Sequence, residues 1–246
     1  MKKLLGFSIF LVLVLIASLT AEAKVTLPAI FSDNMVLQQN TQVNVWGKAA
    51  PGEKVKVKAS WLDKAVTAKA AANGKWAVKL KTPKATTNQS VTVSGENEIT
   101  INNVLIGEVW LCTGQSNMEF PVSRHPDVKW NTGMLNEAEE LKDADYPEIR
   151  LFHVKHQLAH EGELDDCEGE WLVCNPKNLY DFSAVGFVFG RKLYKELKMP
   201  VGLIQSTWGG THAESWTKLD VMKKNPLYVD VLKDLSLIHI SEPTRP

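Results

Sequence analysis

Short alternating runs of apolar and polar residues dominate the first part of the chain. Four of them read with period two, and turn sequences such as Pro51-Gly52 separate them; they cover residues 43–46, 55–58, 76–80 and 91–93. Alternation at this spacing is typical of half-buried antiparallel strands. The pattern predicts a small antiparallel β-sandwich over residues 24–103, with a type I′ hairpin turn at Asn73-Gly74.

A different pattern begins after Asn103. Near-continuous apolar runs, typical of strands buried on both faces, alternate with helix-like segments; the strands are predicted at 104–111, 149–154 and 201–205 and the helices at 136–141 and 182–197. Ser183 is the expected N-cap of the longer helix, and Pro200 ends its pattern. The alternation predicts a parallel α/β sheet over residues 104–234, and a sheet that stops after its third strand is expected to leave an unpaired apolar edge.

The N-terminal segment reads as a secretory signal. Lys2 and Lys3 precede an apolar run over residues 4–19, and the small-residue motif Ala21-Glu22-Ala23 follows. The run is shorter than the ~20 residues of a spanning helix. We therefore expect cleavage after Ala23, a secreted or periplasmic protein, and no membrane attachment once the signal is removed.

Charge and cysteine content narrow the possible partners. Without residues 1–23 the chain has 26 basic and 27 acidic residues and no basic stripe, which argues against a nucleic-acid partner. Of the three cysteines, Cys112 lies in an apolar strand and is expected in the core. Cys167 and Cys174 are close enough in sequence for a local disulfide, and both the bonded and the free state stay open.

Candidate chemistry follows two of the predicted strands. Gly114-Gln115-Ser116-Asn117-Met118 comes directly after the run over residues 109–112, so the Ser116 hydroxyl is held out of the sheet on a tight turn, as a nucleophilic serine requires. A structural serine that caps the next segment is the alternative. Residues 206–211 follow another strand, and the carboxyl ends of parallel strands share one edge. The two segments are therefore expected to meet at one site.

With these residues the chain resembles the sialate O-acetylesterase family of the SGNH, or GDSL-type, hydrolases. Residues 114–118 match the nucleophile block of that family, and Ser206-Thr207-Trp208-Gly209-Gly210-Thr211, continuing through Ala213-Glu214-Ser215-Trp216, matches its glycine-containing block. Further matching segments cover residues 31–38, 51–55, 182–186 and 200–204.

The resemblance implies an esterase that removes acetyl groups from sugar hydroxyls, with an O-acetylated glycan or sialic acid as substrate. Ser116 would be the nucleophile, and the N–H groups of Ser116 and of Gly209 or Gly210 would form the oxyanion hole, with Gly210 preferred. No metal or cofactor is implied. Substrate contacts are expected from Gln115, Asn117, Trp208, His212 and Glu214, although core packing is an equal alternative for Trp208 and Trp216.

Two blocks of the family do not occur in this sequence. They are Gln-Gly-Glu-x-Asn, which supplies a third oxyanion donor, and a late Asp-x-x-His, which supplies the base and its partner. The sequence identifies none of its six histidines as this base; they are His125, His153, His156, His160, His212 and His239. Glu119 is either a partner of the nucleophile turn or a surface carboxylate. Because a serine hydroxyl needs a base, this chain is expected to be almost inactive.

Residues 235–246 do not continue the family pattern, and we expect them to be a non-native tail on a truncated chain. A naturally short protein with a divergent end is the alternative. Three functions stay open: an exported carbohydrate O-acetylesterase for sialic acids or, as a variant, acetylated xylan; a non-catalytic glycan-binding protein; and a fragment with no stable function. The oligomeric state is open as well.

Overall fold

The computed structural model of the protein describes residues 24–124, 133–158 and 164–238. The predicted signal segment, residues 1–23, and the end of the predicted tail, residues 239–246, lie outside these ranges. Signal cleavage and export therefore stay predictions. Among the described residues, no helix combines the length and the apolar character that crossing a bilayer requires.

Six short strands form the N-terminal part; they are β1 (Val36–Gln38), β2 (Gln42–Lys48), β3 (Lys54–Ala59), β4 (Val66–Lys69), β5 (Lys75–Lys81) and β6 (Thr86–Ser94). Their burial follows the period-two pattern: in β3, for example, Val55 and Val57 are buried, whereas Lys56 between them is exposed. β2 and β5 pair as a separate two-stranded sheet, and the side chains of both sheets share one apolar core. The predicted antiparallel sandwich is confirmed.

The turn at Asn73-Gly74 differs from the prediction. β4 pairs with β3, whereas β5 pairs with β2, so this turn joins strands of different sheets instead of closing a hairpin. Gly74 has a φ of +76°, but Asn73 is not in the positive-φ region, which a type I′ turn requires at both positions. Flanking hydrophobic residues predict strands correctly without deciding which strand each one pairs with.

Strand β7 (Glu98–Gly114) connects the two parts of the molecule. Its first half pairs antiparallel with β6, and its second half pairs parallel with β10 (Val201–Thr207). The domain boundary predicted at residue 103 falls inside this strand, and one eight-stranded sheet continues across it. The hydrogen-bonded sheet is therefore continuous from the β-sandwich into the α/β part, through strand β7.

Three parallel strands form the α/β part, as predicted. β8 (Tyr146–His153) and β7 flank β10 on its two sides, and both run parallel to it. β9 (Trp171–Cys174) pairs antiparallel with β8 and forms this edge of the sheet. The last of the three parallel strands inserts between the earlier two, and the free edge expected on this sheet falls at the short apolar strand β9.

The described helices are α1 (Ser116–Glu119), α2 (Glu137–Lys142), α3 (Pro176–Leu179), α4 (Ala184–Leu197), α5 (Leu219–Lys223) and α6 (Val229–Ile238), with 3₁₀ turns at Ala213–Trp216 and Pro226–Tyr228. The Ser183 hydroxyl accepts a hydrogen bond from Gly186 N at 3.0 Å, which confirms the predicted cap of α4. Gly190 lets α4 lie close on the sheet, since a Cβ there would be 2.5 Å from a methyl carbon of Leu203. Helix α6 runs into the predicted tail as far as Ile238.

Burial along β7 corrects a further expectation. Residues 104–107 are buried, but Trp110 and Leu111 are 42% and 62% exposed, so residues 104–111 are not covered on both faces. Apolar composition alone does not distinguish a covered strand from one whose end is partly open. Trp110 packs edge-on against Phe189 of α4, with ring centroids 5.0 Å apart.

All three cysteines are free. Cys112 and Cys174 are buried in the core of the α/β part, as predicted for Cys112, whereas Cys167 packs against the sandwich core. Because Cys167 and Cys174 belong to different cores, the local disulfide does not form. Burial also raises the pKa of the Cys174 thiol to about 12, which keeps it protonated and unreactive.

Candidate active site

The ends of two neighbouring parallel strands bring the two predicted segments together. Gly114, the last residue of β7, lies opposite Thr207, the last residue of β10. Just beyond the strands, Trp208 N donates to the Gly114 carbonyl oxygen at 3.0 Å. Gly114 has a φ of +144°, a backbone conformation that favours glycine and turns the chain away from the sheet. The sequence argument that these segments share one edge is therefore confirmed.

Ser116 opens the short helix α1, directly after this turn. Gln115, not Ser116, occupies the N-cap position, and its side-chain oxygen accepts from both Ser116 N at 3.2 Å and Ser116 Oγ at 3.0 Å. The alternative interpretation of Ser116 as a cap is therefore wrong. Its hydroxyl lies at an exposed strand end, where a substrate can reach it.

The backbone N–H groups near Ser116 differ in their availability. Gly210 N donates to Ser116 Oγ at 3.3 Å, and Gly210 adopts a φ of +75°. Gly209 N instead donates to the Glu119 carboxylate, and Ser116 N is bonded to Gln115. Of the three predicted oxyanion donors, Gly210 is the one whose N–H already faces the reacting oxygen. A role for Ser116 N requires the Gln115 side chain to move.

Glu119 is a partner of the nucleophile turn. Its side chain is 21% exposed, and its two oxygens accept from different residues: Oε2 from Gly209 N, and Oε1 from His156 Nε2 at 2.9 Å. A Cβ on Gly209 would lie 2.5 Å from Glu119 Oε2 and 3.4 Å from Ser116 Oγ, so a larger residue here would displace the carboxylate from the Gly209 N–H. Glu119 therefore holds the loop after β10 against the nucleophile helix.

His156 completes this contact. Nε2 also lies 2.8 Å from the Thr207 carbonyl oxygen, and because both of its neighbours are acceptors, Nε2 carries the hydrogen. The imidazole stacks on the Trp208 indole, with ring centroids 4.2 Å apart and an interplanar angle of 6°. Sequence reasoning missed this role, because no signal in the sequence linked His156 to residues 207 and 208.

None of the histidines within the described ranges contacts the Ser116 hydroxyl. His156 is committed to Glu119 and Thr207, and His212 is exposed without a side-chain capping bond. His153 packs edge-on against Phe182, and burial lowers its pKa. His125, His160 and His239 lie outside the described residues. The structure thus brings the predicted nucleophile and a predicted oxyanion donor together, and no described histidine contacts them as a base.

The predicted substrate contacts fall into two groups. Gln115, Asn117 and Trp208 border Ser116 directly along the chain or across the strand ends, whereas His212 and Glu214 lie further along, around the 3₁₀ turn. Trp216 Nε1 donates to Thr211 Oγ1 at 2.9 Å, and Thr211 Oγ1 donates to the Trp208 carbonyl oxygen at 2.7 Å. This chain of bonds fixes the loop while Trp216 stays 40% exposed. Their roles in substrate binding stay predictions.

A buried polar network stabilises the end of strand β10. Gln205 is fully buried in β10; its side chain accepts from Ser183 N at 2.7 Å and donates to Thr207 Oγ1 at 3.0 Å. A buried amide whose oxygen and nitrogen both have partners stabilises one geometry, because leaving either of them unpaired is costly. The signal for it is the polar residue inside an otherwise apolar strand.

Within the residues that the structure describes, no group of three or more His, Cys, Asp and Glu side chains is arranged to hold a metal ion.

A serine after one parallel strand, with a backbone N–H from the next strand's loop at its hydroxyl, defines a site of the serine-hydrolase class. Known proteins place the chain within that class. A family model described as carbohydrate esterase, sialic acid-specific acetylesterase, matches residues 106–241, so the match extends through residues 235–241 of the predicted tail. The chain belongs to this family.

Individual relatives agree with that assignment. The chain is 33% identical to the sialate O-acetylesterase of Mus musculus over 234 residues, which cover 87% of this chain and 41% of the relative. It is 33% identical to the sialate O-acetylesterase of Homo sapiens over 76% of this chain and 37% of the relative. A crystal structure of a carbohydrate acetylesterase from Xanthomonas citri matches with a TM-score of 0.72 and 31% identity, covering 81% of this chain and 44% of that one. The chain thus spans less than half the length of these relatives.

Proposed function

We propose that this chain forms the nucleophile-bearing part of an exported sialate O-acetylesterase. The observation that carries the proposal is the contact between Gly210 N and Ser116 Oγ at the ends of two parallel strands. Membership in the sialic acid-specific family supports the substrate class, and the signal-like N-terminal segment supports export.

In the proposed reaction, Ser116 Oγ attacks the carbonyl carbon of an acetyl ester on a sugar. The developing oxyanion is stabilised by the N–H of Gly210, a donor that contributes about 3 kcal/mol in comparable sites. The ester C–O bond then breaks, the sugar hydroxyl leaves with a proton, and an acetyl-enzyme remains. Water hydrolyses that ester, which releases acetate and restores Ser116.

The proton of Ser116 must go to a base, and the sequence contains neither of the family's two remaining blocks. We expect the chain by itself to hydrolyse p-nitrophenyl acetate close to background. Added imidazole is expected to act as the base and to produce turnover that Ser116→Ala abolishes and Ser90→Ala, on a distant strand, retains.

Each result of this experiment has a definite meaning. Ser116-dependent turnover without imidazole would contradict the absence of a base in this chain. Equal rates for the parent chain and Ser116→Ala at every imidazole concentration would contradict the nucleophile assignment. Acetate release from O-acetylated sialic acid, compared with acetylated xylan, tests the substrate class. Reading the coding DNA past Asp234 for Gln-Gly-Glu-x-Asn and Asp-x-x-His tests whether the missing blocks follow.

A further inference from the structure

A cavity of about 540 Å³ lies on the β-sandwich and shares no lining residue with the Ser116 site. Its lining comes from four places: the paired strands β2 and β5, Lys69 at the end of β4, the N-terminal segment at residues 26–28, and residues 165–166 of the β8–β9 connection. Its volume is within the range of small-molecule sites.

One wall of this sandwich cavity is formed by the partly exposed indole of Trp46. Trp46 is 40% exposed, and its ring packs at a right angle to that of Phe31, with ring centroids 4.6 Å apart and an interplanar angle of 82°. Directly opposite Trp46 across the ladder is Ala77, whose methyl group is too small to cover the indole. A partly exposed indole held by a neighbouring ring suits the apolar C–H face of a sugar ring.

Two lysines and one aspartate of the cavity form an ion-pair cluster. Lys48 and Lys75 lie directly opposite each other, where like charges repel, and Asp165 bridges them with Lys48 Nζ 3.3 Å from its carboxylate. Asp166 is held by Ala29 N at 2.9 Å, which fixes the 165–166 segment over the sheet.

A positive charge remains after these pairings. Three lysines and two aspartates line the cavity, and Lys69, the third lysine, forms no ion pair with any of the described residues. The cavity thus combines an exposed indole with an available cation.

We propose that the sandwich cavity is a carbohydrate-binding site separate from the Ser116 site, and that it takes an acidic sugar. The sugar ring lies on Trp46, and its carboxylate pairs with Lys69. Neutral sugars lack the group that Lys69 recognises and bind more weakly. The proposal does not depend on esterase activity, since none of its residues lies near Ser116.

The test compares the binding of D-glucuronate and D-glucose, which differ only at one carbon, where glucuronate has a carboxylate and glucose a hydroxymethyl group. Binding is monitored through the chemical shifts of the ¹⁵N-labelled chain. We expect shifts at the Trp46 indole N–H and weaker binding of glucose. Trp46→Ala is expected to weaken glucuronate binding about tenfold, the size of a lost ring contact. Lys69→Gln is expected to weaken it about threefold, with a smaller effect at high salt.

Matched controls separate this site from other surfaces. Trp110→Ala removes an exposed tryptophan outside the cavity, and Lys56→Gln removes an exposed lysine of β3. Ser116→Ala alters the candidate active site. We expect all three variants to bind glucuronate with the affinity of the parent chain. Equal affinity for both sugars overturns the acidic preference, and unchanged binding in Trp46→Ala overturns the site. Shifts at the Trp46 indole that depend on protein concentration instead of sugar identify a second copy as the occupant and also overturn it.

Discussion

At the residue scale, the positions around Ser116 depend on one carboxylate. Glu119 accepts from Gly209 N and from His156 Nε2, and thus joins the nucleophile helix to the loop after β10. Its neighbours in sequence do not indicate this role, because the two donors lie far along the chain. Removing the carboxylate leaves the Gly209 N–H without its acceptor, and an unsatisfied, partly buried donor is costly.

Glu119→Ala is therefore expected to lower the free energy of unfolding by about 2 kcal/mol. Glu119→Gln is expected to lose less, since its amide oxygen can still accept from Gly209 N. Urea unfolding of both variants measures the difference, and the imidazole-dependent turnover described above is expected to follow the same order. Equal loss in the two variants would contradict a specific hydrogen-bonding role.

A second residue-scale prediction concerns pH. Burial lowers the pKa of His153 below its ordinary value of 6.5, so at acidic pH the unfolded chain binds this proton more readily than the folded chain. Stability from this group is complete above pH 6.5 and falls as the pH drops below that value. Unfolding free energies between pH 5 and pH 8 are expected to decline toward pH 5, and less steeply in His153→Phe. If the unfolding free energy of His153→Phe declined with pH as steeply as that of the parent chain, His153 would not be the source of the pH dependence.

At the element scale, α2 and α4 are joined by a mostly buried ion pair. The Glu140 side chain is 9% exposed and the Arg191 side chain 20%, and Arg191 donates to both carboxylate oxygens. The hydrogen bonds from Arg191 hold the pKa of Glu140 below its usual range. Breaking such a pair leaves a buried charge without compensation, whereas an exposed pair contributes little.

Arg191→Met is expected to destabilise the protein by about 3 kcal/mol. The neighbouring Lys192 pairs with Glu196 at 2.8 Å on the exposed face of the same helix, and Lys192→Met is expected to change stability by less than about 0.5 kcal/mol. Because the pKa of Glu140 is lowered by folding, its contribution is present above its unfolded value of 4.5 and lost as the pH falls below it. If Arg191→Met and Lys192→Met lowered the unfolding free energy by similar amounts, burial would not be what makes the Arg191–Glu140 pair important.

Element-level reasoning succeeded where the pattern is local. The cap at Ser183, the period-two strands and helix α4 follow from near neighbours in sequence, and all were predicted. The four-residue strand β9 was missed because so short a run carries no clear period, and the pairing of β5 with β2 was missed because turn residues do not identify a distant partner.

At the scale of the whole molecule, the two parts share structure. β7 pairs with strands of both, and the sandwich core includes Phe152 and Trp171 from the α/β part. Elements joined by a continuous ladder and a common core are expected to unfold together. This differs from two independent domains separated at residue 103.

We therefore expect a single cooperative melting transition. Val93→Ala in the sandwich and Leu203→Ala in the α/β part, both fully buried, are each expected to lower stability by about 2 to 3 kcal/mol and to shift that one transition. Near-ultraviolet circular dichroism and tryptophan fluorescence should give the same midpoint for each variant. Two transitions, with each variant shifting only one, would show that the parts unfold separately. A broad transition without a defined midpoint would favour the unstable-fragment hypothesis.

By itself, the sequence determined the two architectures, the alternation of strand and helix, the position of Ser116 after a strand and the family resemblance. These follow from local periodicity, turn residues and contiguous motifs. Only the tertiary structure decided the order of strands, the free state of Cys167 and Cys174, the contact between Gly210 N and Ser116 Oγ, and the Glu119–His156 contact. Each of these depends on residues that are distant in sequence and adjacent only after folding, and local patterning carries no information about which of many compatible partners packs against which.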